Sequence, residues 1–155
     1  MLSRVEKFEV ALKQTECDAV LVTNLKNIYY LTGFSGTEAT VFISKKRRIF
    51  LTDSRYTLIA KGVVEGFDIV ETRDAVGEIA KIIADDKLEK IGFDDEISYA
   101  YFKMLESLFS GYELVPMTGF IENLRMIKDE QEIATIRKAC QISDQAFLDV
   151  LDFIK

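Results

Sequence analysis

Histidine and tryptophan are absent from this sequence of 155 residues, which holds only one proline and two cysteines. Without histidine, the Ser/His/Asp and Cys/His arrangements of nucleophilic catalysis are excluded, as is every metal site that requires an imidazole ligand. Cys17 and Cys140 lie far apart and in no metal-binding spacing. This cysteine usage argues against a disulfide framework or a zinc knuckle and indicates a reducing compartment, so we expect a cytoplasmic protein.

Long apolar runs and an excess of basic residues are missing as well. Charged residues interrupt the apolar ones every few positions along residues 1–14, unlike in a signal peptide, and no stretch approaches the length of a transmembrane helix. The net charge of −6 provides no long-range attraction to phosphate backbones or anionic lipids. We therefore expect neither a nucleic-acid partner nor a membrane partner.

The residues that are present predict an α/β fold. Apolar residues make up 48% of the sequence and charged residues 30%, which is typical of a folded globular protein. Short apolar segments of strand character lie at 18–23, 40–44, 48–52, 67–72, 90–95 and 112–117. Helical patterns separate the later segments, at 54–64, 74–87 and 98–109. The short gap between the second and third strands predicts a hairpin, so we expect a six-stranded mixed β-sheet flanked by helices.

Helices are also predicted at both ends of the chain. The first carries Leu2, Val5, Phe8 and Leu12 on one face over about four turns. The last is a long helix from 129 onwards, which a capping box of Asp129 and Glu132 would start. Its apolar stripe consists of Ile133, Ile136, Cys140, Phe147, Val150, Leu151 and Ile154. No stop signal precedes Lys155, so we expect truncation at a domain boundary or an obligate partner.

Few residues suggest chemistry. The glycines of YLTGFSGTEAT at 30–40 match no phosphate-binding motif, and we interpret this segment as an aromatic loop that covers the sheet. The carboxylate pair Asp85–Asp86 is predicted to be solvated at a helix end. The run Asp94-Asp95-Glu96 follows a strand, where ligands gather in open α/β sheets, but a turn and the cap of the next helix explain it better.

Arg55 is the most unusual charged residue. Asp53 is predicted to cap the following helix, which would place Arg55 in the first helical turn, where the helix dipole favours an anion over a cation. A guanidinium in that position is suited to clamping a carboxylate or a carbonyl. The alternative is a surface arginine paired with a nearby acid, and the residues alone leave both interpretations open.

Four segments in order resemble the N-terminal region of Xaa-Pro aminopeptidases and proline dipeptidases. They are NIYYLTGFSGT at 27–37, FLTDSRY at 50–56, IGFDDEISY at 91–99 and LRMIKDEQEIATIRKA at 124–139. The resemblance implies a creatinase-like N-terminal domain with a ribonuclease-H-like mixed sheet over residues 1–123. It also implies that residues 124–155 are the interdomain connection and the first helix of a missing catalytic domain.

The resemblance further implies a supporting role for this chain. In the family, two divalent ions, manganese or others, are bound by carboxylates and a histidine of the catalytic domain, so we expect no catalytic residue and no metal ligand here. The expected partners are the chain's own C-terminal catalytic domain, a neighbouring subunit of a homo-oligomer and a proline-containing peptide. Arg55 and Tyr56 of the TDSRY motif are the implied substrate-binding residues, and the fragment alone is expected to be inactive.

Two alternatives keep the fold and change the function. Relatives of this domain occur in histone chaperones, where the fold binds proteins without catalysis, so a peptide- or protein-binding module is the first alternative. The second is the N-terminal domain of a creatinase-type amidinohydrolase, whose catalytic domain would need no metal. Metal content of the whole protein separates the two enzyme hypotheses.

Overall fold

The computed structural model describes residues 3–151 and 153–154. The chain divides into two compact units, Met1–Leu124 and Arg125–Lys155. The assignment of the second unit to a further catalytic domain stays a prediction.

A six-stranded mixed sheet forms the centre of the first unit, as predicted. Its strands are β1 (Ala19–Val22), β2 (Thr40–Ser44), β3 (Arg48–Thr52), β4 (Asp68–Glu71), β5 (Lys90–Phe93) and β6 (Glu113–Pro116). They are arranged in the order β4-β3-β2-β1-β5-β6. Strand β2 runs antiparallel to both of its neighbours, and the other adjacent pairs are parallel. Five strands therefore end at one edge of the sheet, the carboxyl edge, where β2 begins.

Helices cover both faces of this sheet. The helices in the described part of the chain are α1 (Arg4–Leu12), α2 (Leu25–Thr32), α3 (Thr57–Val63), α4 (Ala75–Asp86), α5 (Tyr99–Leu108), α6 (Phe120–Met126) and α7 (Glu130–Leu151), of which α7 belongs to the second unit. Side chains alternate between the two faces along each strand, so that Val20 joins one buried cluster and Leu21 the other. Helices α1, α2, α3 and α6 contribute to the first cluster, and α4 and α5 to the second.

Helix α1 is shorter than predicted. Val5, Phe8 and Leu12 are buried as expected, whereas Leu2 lies outside the described residues. The helix spans nine residues rather than about four turns, beginning after a capping box of Ser3 and ending at Leu12. After Leu12 the backbone continues in a tight turn, in which the N–H and the hydroxyl of Thr15 both donate to the Leu12 carbonyl (3.0 and 2.8 Å).

Helix α2 was missed by the sequence interpretation, which assigned 30–40 to a loop. Asn24 caps the helix, since its side-chain oxygen accepts a hydrogen bond from the backbone N–H of Lys26 (2.9 Å). Gly33 ends the helix in the left-handed conformation, with a φ of 74°. The loop is therefore confined to residues 33–39, between α2 and β2, and the aromatic residues Tyr29 and Tyr30 lie on a helix.

The predicted cap of α3 was wrong. Asp53 does not cap the helix, which begins at Thr57 after Tyr56, a residue without a capping side-chain bond. The Asp53 carboxylate instead accepts a hydrogen bond from the backbone N–H of Arg55 (2.9 Å), which folds 53–56 into a turn. Arg55 thus precedes the helix instead of standing in its first turn. The other two predicted caps, Asp74 of α4 and Ser98 of α5, are confirmed.

The second unit contains the predicted long helix, α7. Its capping box is confirmed, because Glu132 N–H donates to Asp129 (2.8 Å) and Asp129 N–H donates to Glu132 (2.9 Å). None of the residues of α7 is buried, and large apolar side chains such as Phe147 and Leu148 are exposed. Lys155 lies outside the described residues. The further domain or partner that the apolar stripe predicts stays a prediction.

Candidate functional site

The carboxyl edge of the sheet brings together the loops that carry the candidate residues. Residues 53–56 follow β3, residues 72–74 follow β4, and the loop 33–39 leads into β2. The carboxyl ends of strands are the usual place for ligands in open α/β sheets. The loops at this edge therefore define the candidate site.

Arg55 is held by its neighbour Asp53. Its Nε and Nη2 atoms donate to Asp53 Oδ2 at 2.9 and 2.6 Å. The hydrogen bond from this guanidinium lowers the pKa of the Asp53 carboxyl, which therefore stays ionised around neutral pH. The Arg55 side chain is 68% exposed, so the pair fixes the direction of the guanidinium more than it adds stability. The alternative of a surface arginine paired with an acid describes this geometry, and the substrate-binding role stays a prediction.

Tyr56 ties the turn 53–56 to the loop 33–39. Its hydroxyl lies 2.8 Å from the Thr37 hydroxyl, and this hydrogen bond lowers the pKa of Tyr56. The ring meets Phe34 edge to face, with centroids 5.6 Å apart, and the Arg55 guanidinium carbon lies 5.5 Å from its centroid. Arg55 and Tyr56 thus form one cluster in which the tyrosine supports the arginine from the side.

Gly36 allows this cluster to close. A Cβ atom at this position would overlap the Phe34 ring and lie 2.9 Å from Cδ1 of Tyr56. Phe34 itself is buried and packs edge to face on Phe50, with centroids 5.0 Å apart. A side chain at position 36 would therefore push the aromatic rings apart, and only glycine fits the observed packing.

A cavity of about 380 Å³ opens beside Arg55. Its lining residues are Glu38, Thr40, Leu51, Thr52, Asp53, Arg55, Thr72, Arg73 and Ala75. Arg55 thus lines the cavity, whereas Tyr56 is not among its lining residues. Sequence reasoning missed Glu38 and Arg73, although a signal existed for the second: Arg73 follows β4 directly before the cap of α4, as Arg55 follows β3 before α3.

Asp94 serves the structure of the same edge. It is buried and accepts hydrogen bonds from the backbone N–H groups of Thr23 (2.7 Å) and Asn24 (2.8 Å) and from the Asn27 amide (3.2 Å). Burial raises the pKa of this carboxyl, although the three hydrogen bonds act in the opposite direction. The turn role predicted for the run at 94–96 agrees with these bonds, and Ser98 supplies the cap of α5.

Asp86 departs from the prediction of a solvated carboxylate pair. Its side chain is 7% exposed, and its Oδ1 accepts a hydrogen bond from Nη2 of Arg47 (2.9 Å). The hairpin turn between β2 and β3 thus reaches the end of α4 through this ion pair. Asp85, in contrast, is exposed.

The divalent ions that the family resemblance implies do not fit the described part of this chain. Among residues 3–151 and 153–154, no group of three or more His, Cys, Asp and Glu side chains is arranged to hold a metal ion. Hard cations such as Mn²⁺ require several converging oxygen or nitrogen ligands. Over the same residues, no helix combines the length and the apolar character needed to cross a bilayer.

Known proteins match this chain over most of its length. An uncharacterized peptidase of Bacillus subtilis is 33% identical over 154 residues, which cover 98% of this chain and 44% of the relative. The crystal structure of an aminopeptidase P from Streptococcus thermophilus matches with a TM-score of 0.77 and 57% identity, covering 79% of this chain and 95% of that one. A Xaa-Pro dipeptidase from Bacillus anthracis matches with a TM-score of 0.91 and 34% identity, covering 98% of this chain and 43% of that one.

These relatives show how much of a longer polypeptide the chain corresponds to. It spans less than half the length of the curated relatives that it matches, between 40% and 44%. The model of the Creatinase/Prolidase N-terminal domain family matches residues 4–127. Since this match extends over well more than half of the sequence, the chain belongs to the creatinase/prolidase N-terminal domain family.

Proposed function

We propose that this chain is the N-terminal, non-catalytic domain of a metal-dependent peptidase that hydrolyses the Xaa-Pro bond. The observation that carries the proposal is the alignment with the Xaa-Pro dipeptidase of Bacillus anthracis, which covers 98% of this chain but 43% of that enzyme. An N-terminal domain that precedes a catalytic domain accounts for this asymmetry. The solved chain of the aminopeptidase P from Streptococcus thermophilus is covered to 95% by 79% of this chain, so it is about as long as the first unit alone.

The proposed role of the chain is to form part of the substrate entrance and to contribute contacts in a homo-oligomer. Arg55 faces the cavity beside the carboxyl edge with its Nε and Nη2 atoms on Asp53. Its Nη1 atom makes no hydrogen bond with any described residue, so it is available to a carbonyl or carboxylate of a peptide. Asp53 then keeps the guanidinium in place before the substrate arrives, which lowers the entropy cost of binding.

The hydrolytic chemistry is proposed to lie in a C-terminal catalytic domain of the same polypeptide. Two divalent ions, manganese according to the family resemblance, would be held there and would polarise the scissile carbonyl. We assign no catalytic residue and no metal ligand to the chain itself. The proposed location of the whole protein is the cytoplasm.

The first test compares the chain with the full-length protein. We expect no release of proline from a Xaa-Pro dipeptide by residues 1–155, even with added Mn²⁺, and clear release by the full-length protein under the same conditions, measured by chromatography. Hydrolysis by the chain alone would show that it is catalytic. A full-length protein that hydrolyses creatine without metal, and no peptide, would favour the creatinase alternative.

The second test concerns Arg55 in the full-length protein. Because a charge-assisted hydrogen bond to substrate is lost, we expect Arg55→Ala to lower kcat/KM for a Xaa-Pro peptide by about tenfold. Arg55→Lys, which keeps the charge but not the fork of donors, should recover part of the loss. Lys61→Ala is the matched control, since Lys61 is an exposed cation of α3 outside the cavity. Equal kcat/KM values for both alanine variants would make Arg55 a surface arginine only.

A further inference from the structure

Helix α3 is apolar around its whole circumference. Its buried side, with Ala60 and the following Val64, packs into the first buried cluster. At about 100° per residue, four further residues lie on the opposite side. This outer face of α3 consists of Leu58, Ile59, Gly62 and Val63. Lys61 is the only charged residue of the helix, and a helix that is apolar on all sides is normally covered on all sides. The outer face therefore requires a partner surface.

The described part of the chain leaves the outer face of α3 uncovered. Leu58 is 83% exposed and Ile59 is 53% exposed. Val63 extends this apolar surface to the end of α2, where a Cβ atom at Gly33 would lie 3.6 Å from its Cγ1 atom. Tyr29, one turn before Gly33 in α2, is exposed as well. The outer face of α3 and Tyr29 thus form one apolar patch on the surface of the first unit.

The area of this apolar patch is that of a small protein interface. Its four large side chains expose roughly 500 Å² together, which is close to the largest apolar patch of a typical monomeric protein, and such patches are often functional. Two copies of the patch that face each other would bury about 1,000 Å², the lower limit for a specific interface between proteins. The area is therefore sufficient for a weak dimer of this chain.

The spacing of the outer face is symmetric, so it is complementary to itself. Positions 58, 59, 62 and 63 have the same intervals when they are read in either direction. In an antiparallel pair of α3 helices around a twofold axis, Leu58 of one copy therefore lies opposite Val63 of the other. Ile59 lies opposite Gly62, where a Cβ atom would meet nothing within 4 Å, so its side chain has room there. A twofold interface requires this reciprocity, because the same patch must fit itself.

Charge favours a second copy as well. The chain has a net charge of −6, so two copies repel each other over most of their surfaces. The outer face of α3 carries no charged residue, which allows two copies to meet there without bringing like charges into the interface. An antiparallel pair also places the positive end of each helix dipole beside the negative end of the other. A second copy of this chain is therefore the partner that fits the patch.

We propose that two copies of this chain associate through α3, as an antiparallel helix pair around a twofold axis. Ile59 of each copy packs over Gly62 of the other, and Leu58 packs against Val63. Burial of the apolar patch from water drives the association. The proposal locates the homo-oligomer contacts proposed above and rests on that part of the proposed function, but it does not depend on peptidase activity.

Sedimentation equilibrium of the 155-residue chain tests the association. We expect a monomer–dimer equilibrium with a dissociation constant on the order of 10 µM, which Ile59→Lys should raise by at least about tenfold. Leu108→Lys is the matched control, because Leu108 is similarly exposed but lies on α5, at the other face of the sheet. Phe147→Lys tests whether the exposed side chains of α7 join the copies instead. A monomeric chain, or a dimer that only Phe147→Lys dissociates, would overturn the proposal, whereas the peptidase function is judged separately by proline release.

A mixing experiment tests the antiparallel arrangement. Ile59→Lys and Gly62→Glu should each be monomeric alone, because each places like charges near the twofold axis. An equimolar mixture of the two should form a heterodimer, since the introduced lysine of one copy then lies opposite the introduced glutamate of the other. The control is a mixture of Ile59→Lys with Gly62→Lys, which brings like charges together and should stay monomeric. If the mixture of opposite charges associates no better than this control, then the proposed pairing of Ile59 with Gly62 is wrong.

Discussion

Two glycines of this chain, Gly36 in the loop 33–39 and Gly62 in α3, differ in what a side chain would meet, and this difference can be measured. At Gly36 a Cβ atom would overlap Phe34 and lie 2.9 Å from Tyr56, whereas at Gly62 it would meet nothing within 4 Å. We expect Gly36→Ala to lower the free energy of unfolding by about 1–3 kcal/mol, the usual cost of overpacking. Gly62→Ala lies in α3 and should raise it by up to about 1 kcal/mol, because alanine is the better helix former.

Urea unfolding of the two variants checks this prediction. We expect that only Gly36→Ala lowers the free energy of unfolding. The same variant should also alter the near-ultraviolet circular dichroism of the aromatic cluster. If Gly36→Ala unfolds at the same urea concentration as the native chain, then the loop 33–39 can move away from Phe34 and Tyr56 at no cost. In that case the aromatic cluster would not define the position of Arg55.

Residue-level chemistry was only partly visible in the sequence. The unusual position of Arg55 was recognised, but its partner Asp53 was assigned to a helix cap, because an aspartate before a helical pattern most often caps it. The turn 53–56 uses that carboxylate for Arg55 instead. Arg73, which lines the same cavity as Arg55, precedes a helix cap in the sequence, but the sheet order that brings the segments after β3 and β4 side by side could not be predicted from that signal.

At the scale of elements, α2 shows that familiar signals can be present and still be missed. Asn24 and Gly33 stand at the two ends of the helix, as a capping residue and a left-handed terminator. The aromatic residues and paired glycines of 30–40 favoured a loop instead. The strands were easier to predict, since β2 and β3 are short, nearly continuous apolar segments that have the predicted bounds.

The cap of α2 provides a prediction at this scale. Asn24 accepts hydrogen bonds from the N–H groups of Lys26 and Asn27 (2.9 and 3.4 Å), and its amide donates to Glu96 (2.9 Å). We expect Asn24→Ala to lower the free energy of unfolding by about 1 kcal/mol. Asn24→Ser keeps a capping oxygen but not the hydrogen bond to Glu96, so it should lower the free energy of unfolding by less. Thermal unfolding of both variants measures the difference. If both variants lower the free energy of unfolding equally, the stabilisation comes from the hydrogen bond to Glu96 rather than from the cap.

For the whole molecule, the order of the strands in the sheet could not be predicted from the periodicity of the sequence. The hairpin of β2 and β3 follows from their short connection, but the pairing of β1 with β5 joins segments that are about 70 positions apart in the chain. Such long-range parallel pairs depend on the packing of every helix between them. Periodicity could give the number and the kind of elements, whereas the order of the sheet required the three-dimensional structure.

The carboxylate of Asp18 makes the stability of this long-range pairing depend on pH. Its carboxylate accepts hydrogen bonds from the N–H groups of Glu89 (3.0 Å) and Lys90 (3.1 Å), where β5 begins beside β1. Burial by itself would raise the pKa of Asp18, but these bonds and the interaction with Lys45 outweigh it, so that the pKa lies below its ordinary value of 3.8. The ionised form is therefore favoured in the folded state.

The sign of the resulting pH dependence follows from linkage. A folded-state pKa below the unfolded one stabilises the fold above the ordinary pKa of 3.8, and this contribution is lost as the pH falls through the folded-state value. We expect Asp18→Asn to lower the free energy of unfolding by about 1 kcal/mol at neutral pH, with a difference from the native chain that shrinks on acidification. Asp85→Asn, which changes an exposed aspartate of α4, is the control in a series of urea unfolding curves. A deficit for Asp18→Asn that stays constant down to acidic pH would mean that the hydrogen bonds of Asp18 stabilise the fold equally in its neutral form, and the expected pH dependence would be wrong.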